Sequence, residues 1–166
     1  MAIQVRQAKL ADVWELLEML LEFRNQQREL GVRTIAQNPG VLRGGTVIEL
    51  GLTFNDPQWK YIVAEKDGLL VGFIVGHIER CGPTDEHEFC MRIHGDYLKE
   101  KSMANPRVLQ KMWELLDTWA KSKGAEYYYG LIHPGNQPSI KVAKYVGFKH
   151  HMTQFLKMCS QDRGEE

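Results

Sequence analysis

The sequence predicts a mixed α/β domain in which helices cover one continuous sheet. Segments of strand length and composition alternate along the 166 residues with segments of helical periodicity. The pair Asp67-Gly68 separates two β-branched, apolar runs, which is typical of a hairpin because both turn positions need positive φ. The length suits one domain of roughly 100–200 residues, which we place at 1–158, with a mobile tail over 159–166.

The N-terminal elements are a strand and a helix. Residues 3–6 alternate apolar and polar like a short strand. Asp12 and Glu15 have the spacing of a capping box, in which an acidic N-cap and a residue three positions later satisfy free N–H groups. Apolar residues then recur at helical spacing until a polar run before Gly31. A long first helix is therefore predicted between Asp12 and Gly31.

The segment 31–57 carries the weakest pattern, and the hairpin follows it. Asn38-Pro39-Gly40 and Gly44-Gly45 indicate turns or helix breaks. Only a short helix is expected there, somewhere within Thr46–Leu52. The two hairpin strands are then predicted on either side of Asp67-Gly68.

The second half continues the alternation of strands and helices. Residues 88–98 indicate a strand interrupted at Gly95, and a glycine inside a strand often marks a bulge. Asn105-Pro106 predicts a helix with Asn as N-cap and Pro at its first position, and Gly124 ends it. A strand over 126–133, a helix over 138–146 and a last strand over 151–158 complete the chain.

The composition excludes several classes of protein. No apolar run approaches the roughly 20 residues that span a bilayer, so no membrane association is expected. The N-terminus has no apolar signal region, and the unclustered Cys81, Cys90 and Cys159 suggest reduced thiols, so a cytoplasmic location is expected. The 21 basic and 21 acidic side chains cancel, which argues against a general nucleic-acid binder.

The chain from about Ile3 to Met158 resembles the GNAT superfamily of acyl-coenzyme A-dependent N-acetyltransferases. The most specific segment is NQPSIKVAKYVGFKH, where Asn136, Ser139 and Gly147-Phe148 match the family's pattern of Asn, a small residue three positions later and a closing Gly-Phe. The resemblance implies a mostly antiparallel, splayed sheet of about six to seven strands with about four helices. The fourth and fifth strands would part, so that the pantetheine arm of acetyl-CoA lies between them.

The resemblance also implies where acetyl-CoA, the acyl donor, would bind. Family members wrap the pyrophosphate with a glycine-rich loop, but the matching stretch 104–109 has none of those glycines, and Pro106 lacks an N–H. Binding would depend on the positive helix N-terminus and on nearby polar or basic side chains. Alternatively, Asn105-Pro106 only starts a helix among solvated charges. The expected cofactor contacts are Tyr97, Leu98, Lys99, Lys101, Ser102, Asn105, Arg107, Asn136 and Ser139.

The charge distribution agrees with this placement of the coenzyme. Residues 92–157 hold 11 basic and 5 acidic side chains, whereas residues 1–91 hold 9 basic and 13 acidic ones. The basic half is the one that resembles the coenzyme-binding side, and the acidic half would attract a cationic amine.

Acetyl transfer to an amine needs a base near the third and fourth strands. The available groups are Glu79, Glu88, His94 and Asp96, of which Glu88 and Asp96 are our catalytic candidates. If the bulge lies at Gly95, strand alternation places His94 and Asp96 together on one face. Backbone N–H groups over 97–99 would then hold the oxyanion.

The acid that protonates the departing thiolate is less well marked. Many family members carry a Tyr seven residues after the Asn, but here that position is Ala143. Tyr145 lies about 200° further round a helix and cannot substitute. Ser139, or a water that it holds, is the candidate acid, and its alternative role is to cap or line the last helix.

No metal is expected from these patterns. His87, Glu88, Cys90 and His94 have suitable side chains, but a strand alternates them between faces, and no pair has zinc-like spacing.

Two function classes remain. The first is an N-acetyltransferase that passes acetyl directly from acetyl-CoA to a primary amine of a small molecule, a protein N-terminus or a lysine. The second is a catalytically impaired GNAT-fold binding or regulatory module, such as an acyl-CoA sensor. No nucleic acid partner is expected, and a homodimer stays a candidate assembly.

Overall fold

The computed structural model describes residues 3–32, 35–99 and 106–150. These residues form a five-stranded sheet, in the order β1-β2-β3-β4-β5, and four α-helices. The elements are β1 (Gln4–Gln7), α1 (Val13–Glu29), α2 (Pro39–Thr53), β2 (Trp59–Lys66), β3 (Leu69–Arg80), β4 (Phe89–Leu98), α3 (Pro106–Ser122), β5 (Tyr127–Gly130) and α4 (Gln137–Tyr145).

The sheet confirms the predicted class. Neighbouring strands pair antiparallel except for β4 and β5, which are parallel. The described residues hold five strands rather than six or seven, and the strand predicted over 151–158 lies outside them, as does the predicted tail. The hairpin turn is confirmed, since Asp67 and Gly68 have φ of 55° and 82°.

The predicted capping box at the start of α1 is wrong. The Asp12 carboxylate instead accepts the Lys9 N–H at 2.6 Å, within a 3-10 turn that precedes α1, and pairs with Arg6 at 2.6 Å. Glu15 accepts the Leu70 N–H at 2.7 Å, which ties the first turn of α1 to β3. Both carboxylates have partners on other elements, and local spacing does not reveal such partners.

Helix α2 is longer than predicted. Asn38 caps it by accepting the N–H groups of Gly40 and Val41, with Pro39 at the first position. The expected turn is therefore a helix start, and Gly44-Gly45 lies inside the helix. Packing against α1 stabilises a helix that its glycines disfavour by propensity.

The sheet has two covered faces. Alternate residues of β2 and β3, among them Val63 and Phe73, pack under α1 and α2, on what we call the α1/α2 face. Their neighbours Ile62 and Ile74 pack under α3, on the α3 face. Among the described residues, no helix combines the length and apolar content needed to cross a membrane.

Candidate functional site

A bulge in β4 decides which side chains meet. Val75 of β3 pairs with Gly95, and Gly76 pairs with Ile93, so His94 is the extra residue. His94 and Gly95 both lie on the α1/α2 face: the His94 ring lies 4.3 Å from that of Trp59, and a Cβ on Gly95 would approach the Phe23 ring to 2.8 Å.

The prediction that His94 and Asp96 share a face is therefore wrong. Asp96 pairs with Ile74, whose side chain belongs to the α3 face. The bulge falls one residue earlier than Gly95, and it shifts the alternation of the whole strand, so Arg92 and His94 before it lie on the opposite face from Asp96 after it.

Strands β4 and β5 part directly after the bulge begins. Their pairing covers Cys90 to Ile93 against Tyr127 to Gly130, where β5 ends, while β4 continues to Leu98. On the other edge of β4, the Lys99 N–H donates to Val71 O at 2.8 Å. Because backbone groups alternate in direction along an antiparallel strand, Asp96 and Leu98 direct theirs into the split. This is the divergence of strands that the resemblance implies.

A cavity of about 190 Å³ lies against the bulge on the α1/α2 face. One wall is ionic: Arg24 of α1 donates to Glu49 of α2 at 2.7 Å and to Thr46 at 2.6 Å. Most of the remaining lining is aromatic or aliphatic. The lining residues are Leu20, Phe23, Arg24, Glu49, Tyr61, Phe73, Val75, His94 and Gly95.

His94 is held at this cavity as a neutral ring. Its Nε2 is buried and has no hydrogen-bond partner among the described residues. Burial, helped by the charges of Arg92 and His77, lowers the pKa of His94 to about 4. The imidazole is therefore uncharged at neutral pH.

Two further polar side chains adjoin His94 on the same face. His77, Glu79 and His94 each offer one N or O atom, and the three atoms lie within 4.8 Å of one another. His77 Nδ1 lies 3.4 Å from Glu79 Oε1, and the Tyr129 hydroxyl donates to Glu79 Oε2 at 2.6 Å. Arg92 approaches Glu79 Oε1 to 3.8 Å. We call His77, Glu79 and His94 the β3–β4 triad.

Sequence reasoning considered Glu79 only as a base, weighed His94 both as a base and in a different metal-capable set, and missed His77. The available signal was the spacing of His77 and Glu79, two residues apart in a predicted strand and hence on one face. The metal-capable set that it weighed is dispersed: His87 pairs with Glu126 at 3.0 Å in the loop before β4.

The two predicted catalytic carboxylates lie apart. Glu88 is exposed, just before β4, and sits 3.9 Å from Arg80, at the end of the strand away from the bulge. Asp96 lies beside the split on the α3 face, where burial raises the pKa of its carboxyl to about 6.

Asn136 and Ser139 build the N-terminus of α4. The buried Asn136 side chain accepts the Ser139 N–H at 3.1 Å and caps the helix. Gly147, with φ of 97°, ends the turn after α4. Phe148 then packs on Trp113 of α3, with ring centroids 5.3 Å apart.

The other expected cofactor contacts have varied positions. Tyr97 packs with Phe23 and Phe73 on the α1/α2 face, away from the α3 face. Leu98 is buried and belongs to the α3 face, and Arg107 is exposed in the first turn of α3. Lys99 directs its backbone N–H to Val71 O of β3, away from the split. The last three, Lys101, Ser102 and Asn105, lie outside the described residues.

Comparison with known sequences gives no match, either to a protein-family model or to a curated protein. Solved structures do match. The aminoglycoside N-acetyltransferase AAC(6')-Iy, in complex with the bisubstrate analogue CoA-S-monomethyl-acetylneamine, has a TM-score of 0.70 and 15% identity, over 96% of this chain and 100% of that one. A transcriptional regulator from Bacillus halodurans has a TM-score of 0.70 and 17% identity, over 96% and 100% of the two chains.

A third match acts on a protein. The ribosomal-protein-alanine N-acetyltransferase from Brucella melitensis biovar Abortus 2308 has a TM-score of 0.67 and 11% identity, over 96% of this chain and 100% of that one. At such low identity the likeness concerns the fold. Together with the split between β4 and β5, it shows that this chain has the fold of the GNAT superfamily of N-acetyltransferases.

Proposed function

We propose that this protein is an acetyl-CoA-dependent N-acetyltransferase whose acceptor is a primary amine. One observation carries the proposal: the same stretch of β4, residues 94–98, borders the split on its edge and the cavity on its α1/α2 face. A thioester entering through the split and an amine entering the cavity would meet at the bulge. The cavity, lined mostly by aromatic and aliphatic side chains, favours a small molecule rather than a protein N-terminus or lysine as the acceptor.

The donor side is formed by the split, α3 and α4. Leu98 directs its N–H into the split, where it can donate to the thioester carbonyl as negative charge develops on the oxygen. The N-termini of α3 and α4, near Arg107 and Asn136, supply positive dipole ends for the coenzyme phosphates. Arg107 and Asn136 remain proposed cofactor contacts on this basis, together with the backbone of Leu98.

The acceptor side is the cavity. We assign His94 as the base, because its ring lines the cavity and its Nε2 has no hydrogen-bond partner among the described residues. The amine nitrogen attacks the thioester carbon, the C–S bond breaks, and the amine proton passes to His94.

The departing thiolate lies on the donor side. In our proposal Asp96, whose carboxyl lies on the α3 face beside the split, returns a proton to the sulfur, a role that Ala143 cannot perform. We therefore propose Asp96 as acid rather than base. Ser139 lies in the first turn of α4, where its backbone N–H donates to the capping side chain of Asn136, and this supports its alternative role of lining the helix start.

Thermal melting with acetyl-CoA, followed by thiol release with a panel of small amines, tests the function. We expect acetyl-CoA to raise the melting temperature by mass action and some amines to release free thiol. His94→Gln should lower kcat by about 100-fold with the acetyl-CoA affinity unchanged, since one positioned base contributes roughly 100- to 10,000-fold.

His87→Gln is the matched control, because His87 lies in the loop before β4 and contacts Glu126. Its kcat should equal that of the wild type. No thermal shift with acetyl-CoA at millimolar concentration would contradict the proposal. A shift without turnover on any amine would instead favour the regulatory module.

A further inference from the structure

We propose that His77, Glu79 and His94 form a binding site for a divalent cation of the zinc class, on the α1/α2 face at the edge of the cavity. Two imidazoles and one carboxylate are a donor set that zinc uses where three protein ligands leave a fourth position open. This inference does not depend on the acetyltransferase activity.

The distances are close to those that zinc needs. A tetrahedral zinc ion with bonds of about 2.0–2.1 Å holds its ligand atoms about 3.3 Å apart. His77 Nδ1 and Glu79 Oε1 already lie 3.4 Å apart. All three ligand atoms lie within 4.8 Å of one another, so side-chain rotations that bring them closer by up to about 1.5 Å would close the triad around an ion.

The surroundings orient the ligands. Trp59 stacks on the ring of His77 with centroids 4.5 Å apart and packs at a tilt of 37° against that of His94, with centroids 4.3 Å apart, which restricts both imidazoles. The Tyr129 hydroxyl binds Glu79 Oε2 and leaves Oε1 on the side of His77. Hydrogen bonds of this kind, to the outer atom of a ligating carboxylate, are typical of metal sites.

A second observation points to a ligand at this place. His94 Nε2 is buried without a hydrogen-bond partner among the described residues, although buried polar atoms are nearly always partnered. A bound cation would supply that partner.

The positive charge of Arg92 affects the affinity of the same site for a cation. Its guanidinium lies 3.8 Å from Glu79 Oε1 and balances that carboxylate while the triad is free of metal. The same positive charge opposes a cation, so its removal should strengthen binding. A purely structural cluster would show no such gain.

Occupancy would also affect the cavity. His94 lines it, and a ring nitrogen engaged by a metal cannot accept a proton. On the proposed function, zinc would therefore inhibit acetyl transfer without displacing acetyl-CoA.

Zinc titration against a chromophoric chelator, on the chain without an added polyhistidine tag, tests the site directly. We expect one zinc ion per chain. His77→Gln, Glu79→Gln and His94→Gln should each weaken binding by at least about 100-fold, beyond the 10- to 100-fold that outer-shell changes cause. Arg92→Gln should tighten binding by about tenfold. His87→Gln, in the loop before β4, should leave the affinity unchanged.

Cobalt spectroscopy distinguishes this site from thiol ligation. Nitrogen and oxygen ligands give Co²⁺ visible bands without the near-ultraviolet charge-transfer band of thiolates. A thiolate band would assign the metal to a cysteine, Cys81, Cys90 or Cys159, and overturn the proposal. Full affinity in His77→Gln and His94→Gln, or a loss of affinity in His87→Gln, would also overturn it. Weaker binding in Arg92→Gln would also contradict it, and circular dichroism confirms that each variant is folded.

Discussion

The α1/α2 face and the α3 face each hold a titratable side chain, and burial shifts the pKa values of the two in opposite directions. On the α1/α2 face, burial lowers the pKa of His94 to about 4, and on the α3 face it raises the pKa of Asp96 to about 6. Both shifts favour the neutral form, because burial disfavours charge of either sign. The two residues are two positions apart, yet the bulge and the sheet keep them on separate faces. One strand thus carries, on its two faces, two titratable groups whose charged forms are both disfavoured, and on the proposed function these are the base and the acid.

The faces also differ in their expected pH dependence. A group with a lowered basic pKa destabilises the fold in acid, whereas a carboxyl with a raised pKa destabilises it near neutrality. Variants that remove one group at a time should therefore separate the two faces.

The largest expected effect comes from truncating the core of each face. Phe73 and its neighbour Ile74 are fully buried on the α1/α2 and α3 faces respectively. Phe73→Ala should lower the free energy of unfolding by about 3–5 kcal/mol and Ile74→Ala by about 2–5 kcal/mol. Urea unfolding measures both. Only Phe73→Ala enlarges the cavity, so it alone should alter acceptor KM.

Leu69→Ala is the control for these truncations, since Leu69 is 64% exposed. We expect a change within about 0.5 kcal/mol. Equal acceptor KM values for Phe73→Ala and Ile74→Ala would contradict the claim that the acceptor binds on the α1/α2 face alone.

The second prediction concerns His94 in metal-free protein. Its pKa falls from 6.5 to about 4 on folding, so wild-type stability is lost as pH decreases through this window. His94→Gln should remove that loss, a gain over wild type of about 3 kcal/mol at pH near 4 and none from this source at pH 8. Urea unfolding across pH with a chelator present measures the difference.

His87 supplies a control of opposite sign. A hydrogen bond to Glu126 raises the pKa of His87, so protonated His87 stabilises the fold in acid, and this stabilisation is lost as pH rises. His87→Gln should therefore be less stable than wild type in acid. An acid gain in His87→Gln, or none in His94→Gln, would contradict this account of the α1/α2 face.

The third prediction is the counterpart on the α3 face. Folding raises the pKa of Asp96 from 3.8 to about 6, so its destabilising effect is absent below the unfolded pKa and is complete above about pH 6. Asp96→Asn should stabilise the protein by about 2–3 kcal/mol at pH 7 and by little at pH 4. Melting temperatures at the two pH values measure this, while turnover should fall.

Asp117→Asn is the contrasting variant. The Asp117 carboxylate accepts hydrogen bonds from Tyr128 and Lys121, and the amide retains these less well. Asp117→Asn should therefore destabilise the fold at pH 7. If Asp117→Asn instead stabilised it, the stabilisation by Asp96→Asn would not be specific to a buried carboxyl.

Local signals in the sequence predicted much of the fold. The turn Asp67-Gly68 and the helix end at Gly124 depend on φ preferences of single residues, and both are confirmed. Helix α2 was underestimated because its stability comes from packing on α1. The predicted capping box is wrong because Asp12 binds Arg6 and Glu15 binds the Leu70 N–H, and both partners reach α1 only in the folded chain.

The candidate site was harder to predict for the same reason. Gly95 indicated a bulge, but the face of His94 depends on its exact position, one residue earlier. The β3–β4 triad joins His77 and Glu79 of one strand to His94 of the next. The register between the two strands cannot be predicted from the sequence of either strand. Sequence reasoning therefore found two of the three residues and not their relation.

The smallest predicted effect compares the helix caps of the two sides. Asn38 caps α2 on the acceptor side and is exposed, whereas Asn136 caps α4 on the donor side and is 8% exposed. Asn38→Ala should cost about 1 kcal/mol. Asn136→Ala should cost more, about 1–3 kcal/mol, because it also leaves the partly buried Ser139 N–H unpaired. Urea unfolding gives both values.

Binding sharpens the same comparison. If the N-terminus of α4 helps to hold the coenzyme, Asn136→Ala should weaken acetyl-CoA binding by a few-fold, because a frayed helix end loses its aligned N–H groups. Asn38→Ala should leave acetyl-CoA binding unchanged. Asn136→Asp, which keeps a capping oxygen, should restore stability but bring a negative charge toward the phosphates. Restored stability with still weaker acetyl-CoA binding would place the coenzyme at α4, and full restoration of both would place it elsewhere.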